Sequence, residues 1–149
     1  MTIYEELTHD HDEVRALLAE ISEMSSRATK SKERSFEKLK ALMTAHSRAE
    51  EKVFYDALKS AAAAKDDALE GYEEHHVVDV LLREIARLTP GDDRWKAKFS
   101  VLRETIEHHA QEEETEIFDK ARGILSDDDA EKLGEKFLAT RDKLVKAEA

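Results

Sequence analysis

The chain has 149 residues, of which 40% are charged and 40% are apolar, and its formal net charge is −11 at pH 7. This acidic balance disfavours nucleic acids and anionic membrane surfaces as partners, because both bind basic faces of proteins. The sequence contains no Cys, which excludes disulfides, iron–sulfur clusters, thiolate zinc sites and thiol catalysis.

The N-terminal run MTIYEELTHDHDEV has neither the basic start nor the apolar centre of a signal peptide. No apolar run approaches the roughly 20 residues that cross a bilayer as a helix. We therefore expect a cytoplasmic protein. The length suggests one domain spanning residues 1–149. Because no long exposed apolar stripe stands out, we expect a monomer.

A single Pro and four Gly favour an all-helical fold. In the first half of the chain, apolar residues recur at the spacing of two amphipathic helices. The first helix is predicted to begin near Thr2 and to end near Ser25 or Arg27. The polar run SSRATKSKE then predicts a loop. The second helix is predicted to begin near Ser35 and to end in the alanine run 61–64.

The second half of the chain predicts two more long helices. Asp66 or Asp67 can cap the third helix, because a short carboxylate accepts hydrogen bonds from the free N–H groups at a helix start. The third helix ends at Thr89-Pro90-Gly91, after which Asp92 opens the fourth. Gly123 is predicted to end the fourth helix.

A fifth, shorter helix is predicted over about residues 127–146. Ser126 followed by three Asp is a strong helix start, since the carboxylates also match the helix dipole. The first four helices, over about residues 3–122, carry an internal repeat. Together these features predict an all-α protein, an up-down antiparallel four-helix bundle with a short fifth C-terminal helix.

The repeat is clearest in two runs that bear His and Glu. HSRAEEKVFYD begins at His46, and HAQEEETEIFD begins at His109, 63 positions later. Positions i and i+4 of an α-helix lie on one face, so the pairs His46/Glu50 and His109/Glu113 can each bind one object together. Two such pairs on two helices indicate a metal site.

The repeat also selects among adjacent histidines. A shift of one residue rotates a helical side chain by about 100°, so only one His of each close group faces the core. His11 and His75 correspond at an offset of 64. The repeat register therefore predicts that His11, His75 and His109 face the core. It leaves three others off-register, namely His9, His76 and His108.

Six residues are the candidate metal ligands: His11, His46, Glu50, His75, His109 and Glu113. Burying four imidazoles and two carboxylates without a metal would cost several kcal/mol for each unpaired charge. Each hairpin can hold one ion by its two His, with the two Glu bridging. This donor set suits iron, manganese or zinc, and it leaves open positions for chemistry.

Neighbouring residues are expected to have lesser roles. Glu51 and Glu114 are predicted to hydrogen-bond outside the ligands, where they can orient imidazole N–H groups. For Tyr72 and Asp79, a packing or surface role and an approach to the metals both stay open. The remaining aromatic residues are predicted to pack, namely Tyr55, Trp95 and Phe118.

These motifs resemble the hemerythrin-like HHE cation-binding domains over residues 3 to about 122. The resemblance rests on DHDEVRALL around His11, HSRAEE around His46, EEHHVVDVLL around His75 and HHAQEEETEIF around His109. It implies a four-helix bundle with a non-haem di-iron centre. In that centre the four His are terminal ligands, and Glu50 and Glu113 are bridging carboxylates.

The chain departs from the oxygen-carrying members of that family. Those proteins have a further His four residues after the third-helix His, where this chain has Asp79, and an Asp where it has Glu113. The missing imidazole implies an extra open position. This disfavours reversible oxygen carriage and favours peroxide or nitric oxide chemistry, iron handling or sensing.

Three functional hypotheses follow. The leading one is a di-iron protein that handles oxygen species, with catalase-like decomposition of hydrogen peroxide or a role in oxidative and nitrosative stress. The second is a carrier or sensor that binds O2 or NO without turnover. The third is a metal-free structural bundle or an iron-storage helper. Two iron ions are the expected cofactor, and O2, H2O2 and NO are the expected small ligands.

Overall fold

The computed structural model describes residues 1–148, which form five helices. These residues contain no β-strand. α1 spans Ile3–Glu23, α3 spans Lys65–Ala86 and α5 spans Asp127–Glu148. The other two helices, α2 and α4, each contain a π-helical turn between two α-helical segments. α2 consists of Thr29–Glu50, the π-helical Glu51–Tyr55 and Asp56–Leu58. α4 consists of Asp93–Glu112, the π-helical Glu113–Ile117 and Phe118–Arg122.

Side-chain caps start three of these helices. The Thr2 hydroxyl accepts from the Glu5 N–H at 3.2 Å, while the Glu5 carboxylate accepts from the Thr2 N–H at 3.0 Å. Asp92 accepts from the Arg94 N–H at 2.8 Å. The Ser126 hydroxyl accepts from the N–H three residues on, at 3.1 Å. The predicted starts at Asp92 and Ser126 are therefore those of the structure.

Two local predictions were wrong. α2 begins at Thr29 rather than near Ser35, because its first turns are helix-compatible polar residues that need no apolar face. The residue capping α3 is Ala64, and Asp66 and Asp67 lie in the first helical turn, where carboxylates favour the helix dipole. The predicted end of α4 at Gly123 is confirmed, although this glycine has φ −80° and forms no left-handed cap.

The first four helices alternate in direction and pack as two hairpins, α1 with α2 and α3 with α4. α5 then packs against α1 and α2. The predicted all-α fold, a four-helix bundle with an added C-terminal helix, is confirmed. None of the helices in residues 1–148 combines the length and the apolar character needed to cross a membrane.

The core consists of two apolar clusters. One end of the bundle buries Leu7, Phe54 and Phe118 together with Phe137 of α5. The other end buries Val14, Leu82 and other residues around Trp95, whose ring stacks on that of Phe99 at 5.1 Å. Each large apolar side chain contributes about 1.5–3 kcal/mol by its burial. Between the two clusters lies a layer of buried polar side chains.

Candidate metal centre

The polar layer contains the six residues selected from the sequence, which come from all four bundle helices. Each is at most 5% exposed. They are His11 of α1, His46 and Glu50 of α2, His75 of α3, and His109 and Glu113 of α4. The off-register histidines lie at the surface, as the repeat predicted: His9, His76 and His108 are exposed.

The side chains of this layer converge in two groups. Donor atoms of His11, His46, Glu50 and Glu113 all lie within 4.8 Å of one another, and those of Glu50, His75 and His109 do the same. Glu50 belongs to both groups. Glu113 reaches toward both as well, because its Oε1 lies 3.2 Å from His11 Nε2 and its Oε2 lies 3.6 Å from His109 Nε2.

Several atoms in the layer have no hydrogen-bond partner although they are buried. They are Nε2 of His11, His46 and His75, both carboxylate oxygens of Glu50, and Oε1 of Glu113. Leaving buried polar atoms unpaired costs free energy, so such a cluster calls for another partner. Imidazole nitrogens and carboxylate oxygens that face one space match the donor preferences of iron, manganese and zinc. The residues present therefore fit a metal.

A carboxylate binds the outer nitrogen of every histidine in the layer. The four Nδ1 contacts are His11 with Glu114 at 2.7 Å, His46 with Asp10 at 2.9 Å, His75 with Glu51 at 2.8 Å and His109 with Glu74 at 2.9 Å. Carboxylates accept, so each Nδ1 carries a proton. In the neutral imidazole the Nε2 lone pair then faces the centre, as a metal ligand requires.

These outer carboxylates also follow the repeat. Glu51 and Glu114 were expected in this role, but Asp10 and Glu74 were not singled out. Asp10 and Glu74 correspond at an offset of 64, and each directly precedes a layer histidine. The repeat register therefore contained the signal that would have found them.

Tyr55 was predicted to be a packing residue, and this was incomplete. Its side chain is fully buried, but its hydroxyl donates to Glu113 Oε2 at 2.9 Å and lies 3.2 Å from His109 Nε2. Its ring stacks on the His75 ring at 5.3 Å. A Cβ on Gly71 would lie 2.5 Å from this ring, so the glycine makes room for it.

Tyr72 and Asp79, whose roles were open, make their polar contacts outside the six-residue layer. The Tyr72 hydroxyl donates to the backbone oxygen of Glu51 at 3.2 Å. Asp79 accepts from Arg48 Nη2 at 2.8 Å, and Arg48 also donates to the Glu51 carboxylate at 3.1 Å. Asp79, four residues after His75, therefore forms an ion pair with Arg48 instead of supplying a fifth imidazole.

The titratable groups of the layer shift one another's pKa. Burial alone would raise the pKa of Glu50, but Glu113 and the neighbouring histidines outweigh it and hold this pKa well below its usual range. Burial and the charge of Glu50 raise the pKa of Glu113. Burial alone would lower the pKa of His11, yet contacts with Glu113 and Glu114 raise it to about 9. A bound cation would displace such protons.

A helical bundle that directs paired His and Glu side chains into a buried layer defines a cation-binding bundle protein. Residues 2–121 match the model of the hemerythrin HHE cation binding domain, and the chain belongs to this family. Its domains bind metal cations, typically iron, and small ligands such as O2.

Two individual proteins are similar to this chain. The crystal structure of a hemerythrin HHE cation binding domain-containing protein from Mycobacterium kansasii has a TM-score of 0.87 and 24% identity, covering 99% of this chain and 89% of that one. At this identity the likeness shows the fold alone. A DNA nickase from Nostoc sp. (strain PCC 7120) is 27% identical over 144 residues, which are 97% of this chain. The chain spans 40% of the length of that relative.

Proposed function

We propose that this protein holds two iron ions in the buried layer and decomposes hydrogen peroxide. The single observation that carries the proposal is the set of unpaired Nε2 and carboxylate oxygen atoms facing one buried space. His11 and His46 would hold one ion, and His75 and His109 the other. Glu50 and Glu113 would contact both. We further propose that residues 1–149 form one domain.

Bound iron would supply the redox chemistry that converts two molecules of hydrogen peroxide into two of water and one of O2. The protein contributes positioning and exclusion. Its outer carboxylates hold all four imidazoles in one tautomer. The layer is buried, and a surface groove of about 540 Å³ reaches Glu114, the partner of His11.

Two further features support peroxide chemistry over oxygen carriage. The residue four positions after His75 is Asp79, which is bound to Arg48 at 2.8 Å and supplies no fifth imidazole. The Tyr55 hydroxyl lies beside Glu113 and His109, where it can hold a proton close to a small bound molecule. The activity named for the Nostoc protein is not part of the proposal, because the chain matches 40% of that protein.

The test is oxygen evolution from hydrogen peroxide by protein loaded with iron. We expect His46→Ala and Glu113→Ala to reduce the rate by at least roughly 10–100-fold. Loss of a residue that only hydrogen-bonds to a metal ligand already has an effect of this size. His76→Ala and His108→Ala are matched controls. They remove exposed histidines next to His75 and His109, and their rates should equal that of the unchanged protein.

Other outcomes would select another function. Turnover that survives both ligand substitutions would contradict the proposal. Reversible spectral changes with O2 or NO, without peroxide consumption, would favour a carrier or sensor. Protein that purifies without metal and keeps its full stability after chelation would favour a structural bundle.

A further inference from the structure

We propose that α5 supports the metal centre. In this proposal Arg141 of α5 positions the His46 imidazole through Asp10. The family match ends at residue 121, so α5 lies beyond the segment that the family model describes. The inference rests on the part of the proposed function in which His46 binds a cation. It does not depend on peroxide turnover.

A continuous chain of contacts links α5 to the layer. Arg141 Nη1 donates to Asp10 Oδ1 at 2.6 Å, and His46 Nδ1 donates to Asp10 Oδ2 at 2.9 Å. Asp10 is fully buried and His46 is 1% exposed. Both oxygens of the carboxylate are therefore engaged, one by the guanidinium and one by the imidazole.

A second residue of α5 contacts the same imidazole. Phe137 lies one helical turn before Arg141, is fully buried, and meets the His46 ring edge-on with centroids 5.6 Å apart. Positions i and i+4 share a helix face. Two successive turns of α5 thus bear on His46, one by direct packing and one through Asp10.

The Arg141 contact differs from the other arginine contacts around the layer. Arg15 binds Glu114 and Arg48 binds Glu51, but both arginines belong to the bundle and their side chains are 26% and 36% exposed. Arg141 is 11% exposed. Since screening by water weakens exposed pairs, the buried pair constrains its carboxylate most strongly.

The physical role follows from the burial of Asp10. An ionised carboxylate without a partner is unstable in a protein interior, and removing its partner leaves an uncompensated charge. Without Arg141, the Asp10 carboxylate would lose the donor that holds its Oδ1 and could turn away from His46. This movement would weaken the hydrogen bond from His46 Nδ1, so the Nε2 atom would no longer be fixed toward the centre.

The experiment measures iron affinity in the full chain, by anaerobic competition for ferrous iron with a chromogenic chelator. We expect Arg141→Gln and Asp10→Asn to weaken one of two iron equivalents roughly 10–100-fold, the range for loss of an outer partner of a ligand. Arg141→Lys keeps the charge and should restore affinity to within about threefold of the unchanged protein.

Asp142→Asn is the matched control. The Asp142 carboxylate lies 2.9 Å from Arg141 Nε, but its side chain is 56% exposed. Its replacement removes a second carboxylate beside the same guanidinium and should leave iron affinity unchanged. Melting temperatures of each variant with and without iron separate positioning from simple docking of α5. Positioning predicts a smaller gain on adding iron, whereas docking alone lowers both temperatures equally.

Unchanged iron affinity in folded Arg141→Gln protein would overturn the inference. A loss of affinity that Arg141→Lys does not restore would overturn it too. If Arg141→Gln fails to fold, unchanged affinity in Asp10→Asn decides against it. Unchanged protein that binds two irons but leaves peroxide intact would refute the proposed activity alone, and the affinities would still decide the role of Arg141. Unchanged protein that binds no iron would overturn both.

Discussion

Tyr55 breaks the symmetry of the buried layer. The repeat places Phe118 at the corresponding position, 63 residues later, so one half of the layer has a phenol where the other has a plain ring. Burial, and then the charge of Glu113, raise the pKa of Tyr55 well above its usual range. The hydroxyl therefore keeps its proton and donates a hydrogen bond to the Glu113 carboxylate. The His75/His109 side of the layer consequently carries a proton donor that the other side lacks.

We predict that Tyr55→Phe destabilises the metal-free protein by about 1–3 kcal/mol, because a buried carboxylate oxygen of Glu113 loses its donor. Urea denaturation with metal removed measures this change in the free energy of unfolding. With iron bound, the absorption spectrum should shift while two equivalents are retained. Tyr72→Phe is the matched control, since that hydroxyl binds a backbone oxygen away from the centre. Equal spectral shifts in the two variants would contradict a special place for Tyr55.

Among the helices, α2 and α4 each contain a π-helical turn, Glu51–Tyr55 in α2 and Glu113–Ile117 in α4. Such turns are rare and occur often at functional sites. Here each lies where two consecutive Glu both serve the layer, Glu50 with Glu51 and Glu113 with Glu114. Adjacent residues of a regular α-helix point about 100° apart. The widened turns accompany the use of both carboxylates from one stretch of helix.

α5 is held close to the start of α1. A Cβ on Gly134 would lie 2.2 Å from the backbone oxygen of Met1 and 2.7 Å from the carbonyl carbon of Thr2. Backbone atoms cannot move aside as the end of a flexible side chain can. This close approach therefore fixes the height of α5 along α1, and with it the level at which Arg141 meets Asp10.

We predict that Gly134→Ala destabilises the protein. Ala favours a helix over Gly by about 1 kcal/mol, but overpacking against backbone costs about 1–3 kcal/mol and should prevail. Chemical denaturation gives the difference. Gly91→Ala is the control, because a Cβ there meets nothing within 4 Å, and it should be neutral or slightly stabilising. Stabilisation by Gly134→Ala would show that α5 can shift without cost.

In the protein as one unit, the polar layer divides the core into its two apolar clusters. The layer brings together charges that are costly to bury, and their unpaired atoms face the proposed cation positions. The two clusters hold the helices in place on either side. Metal binding and folding are therefore linked, since a cation that binds only the folded chain adds its binding free energy to stability.

We predict that removing metal lowers the melting temperature. A ligand at 100 times its dissociation constant contributes about 2.7 kcal/mol, which in a domain of this size corresponds to roughly 5–10 °C. Differential scanning calorimetry before chelation, after chelation and after addition of iron measures the effect, and iron should restore the original value. Identical melting curves in all three states would contradict a buried cation site.

Much of the fold could be predicted because helical periodicity and capping are local properties. The five helices, the start at Ser126 and the inward register of His75 rather than His76 all follow from spacing along the chain. The beginning of α2 was wrong by several residues, since polar residues such as Lys30 and Lys32 suit an exposed helical turn as well as a loop.

By itself the sequence determined the helical class, the internal repeat and the six residues proposed to bind metal, because each depends on residues a few positions apart or on a fixed offset. Tertiary structure decided what depends on distant residues. Only the packed bundle brings Tyr55 to Glu113 and Asp10 to His46, and only the docking of α5 brings Arg141 to Asp10 across 131 positions. No local pattern encodes such contacts, since they arise from which helix faces which neighbour and at what height.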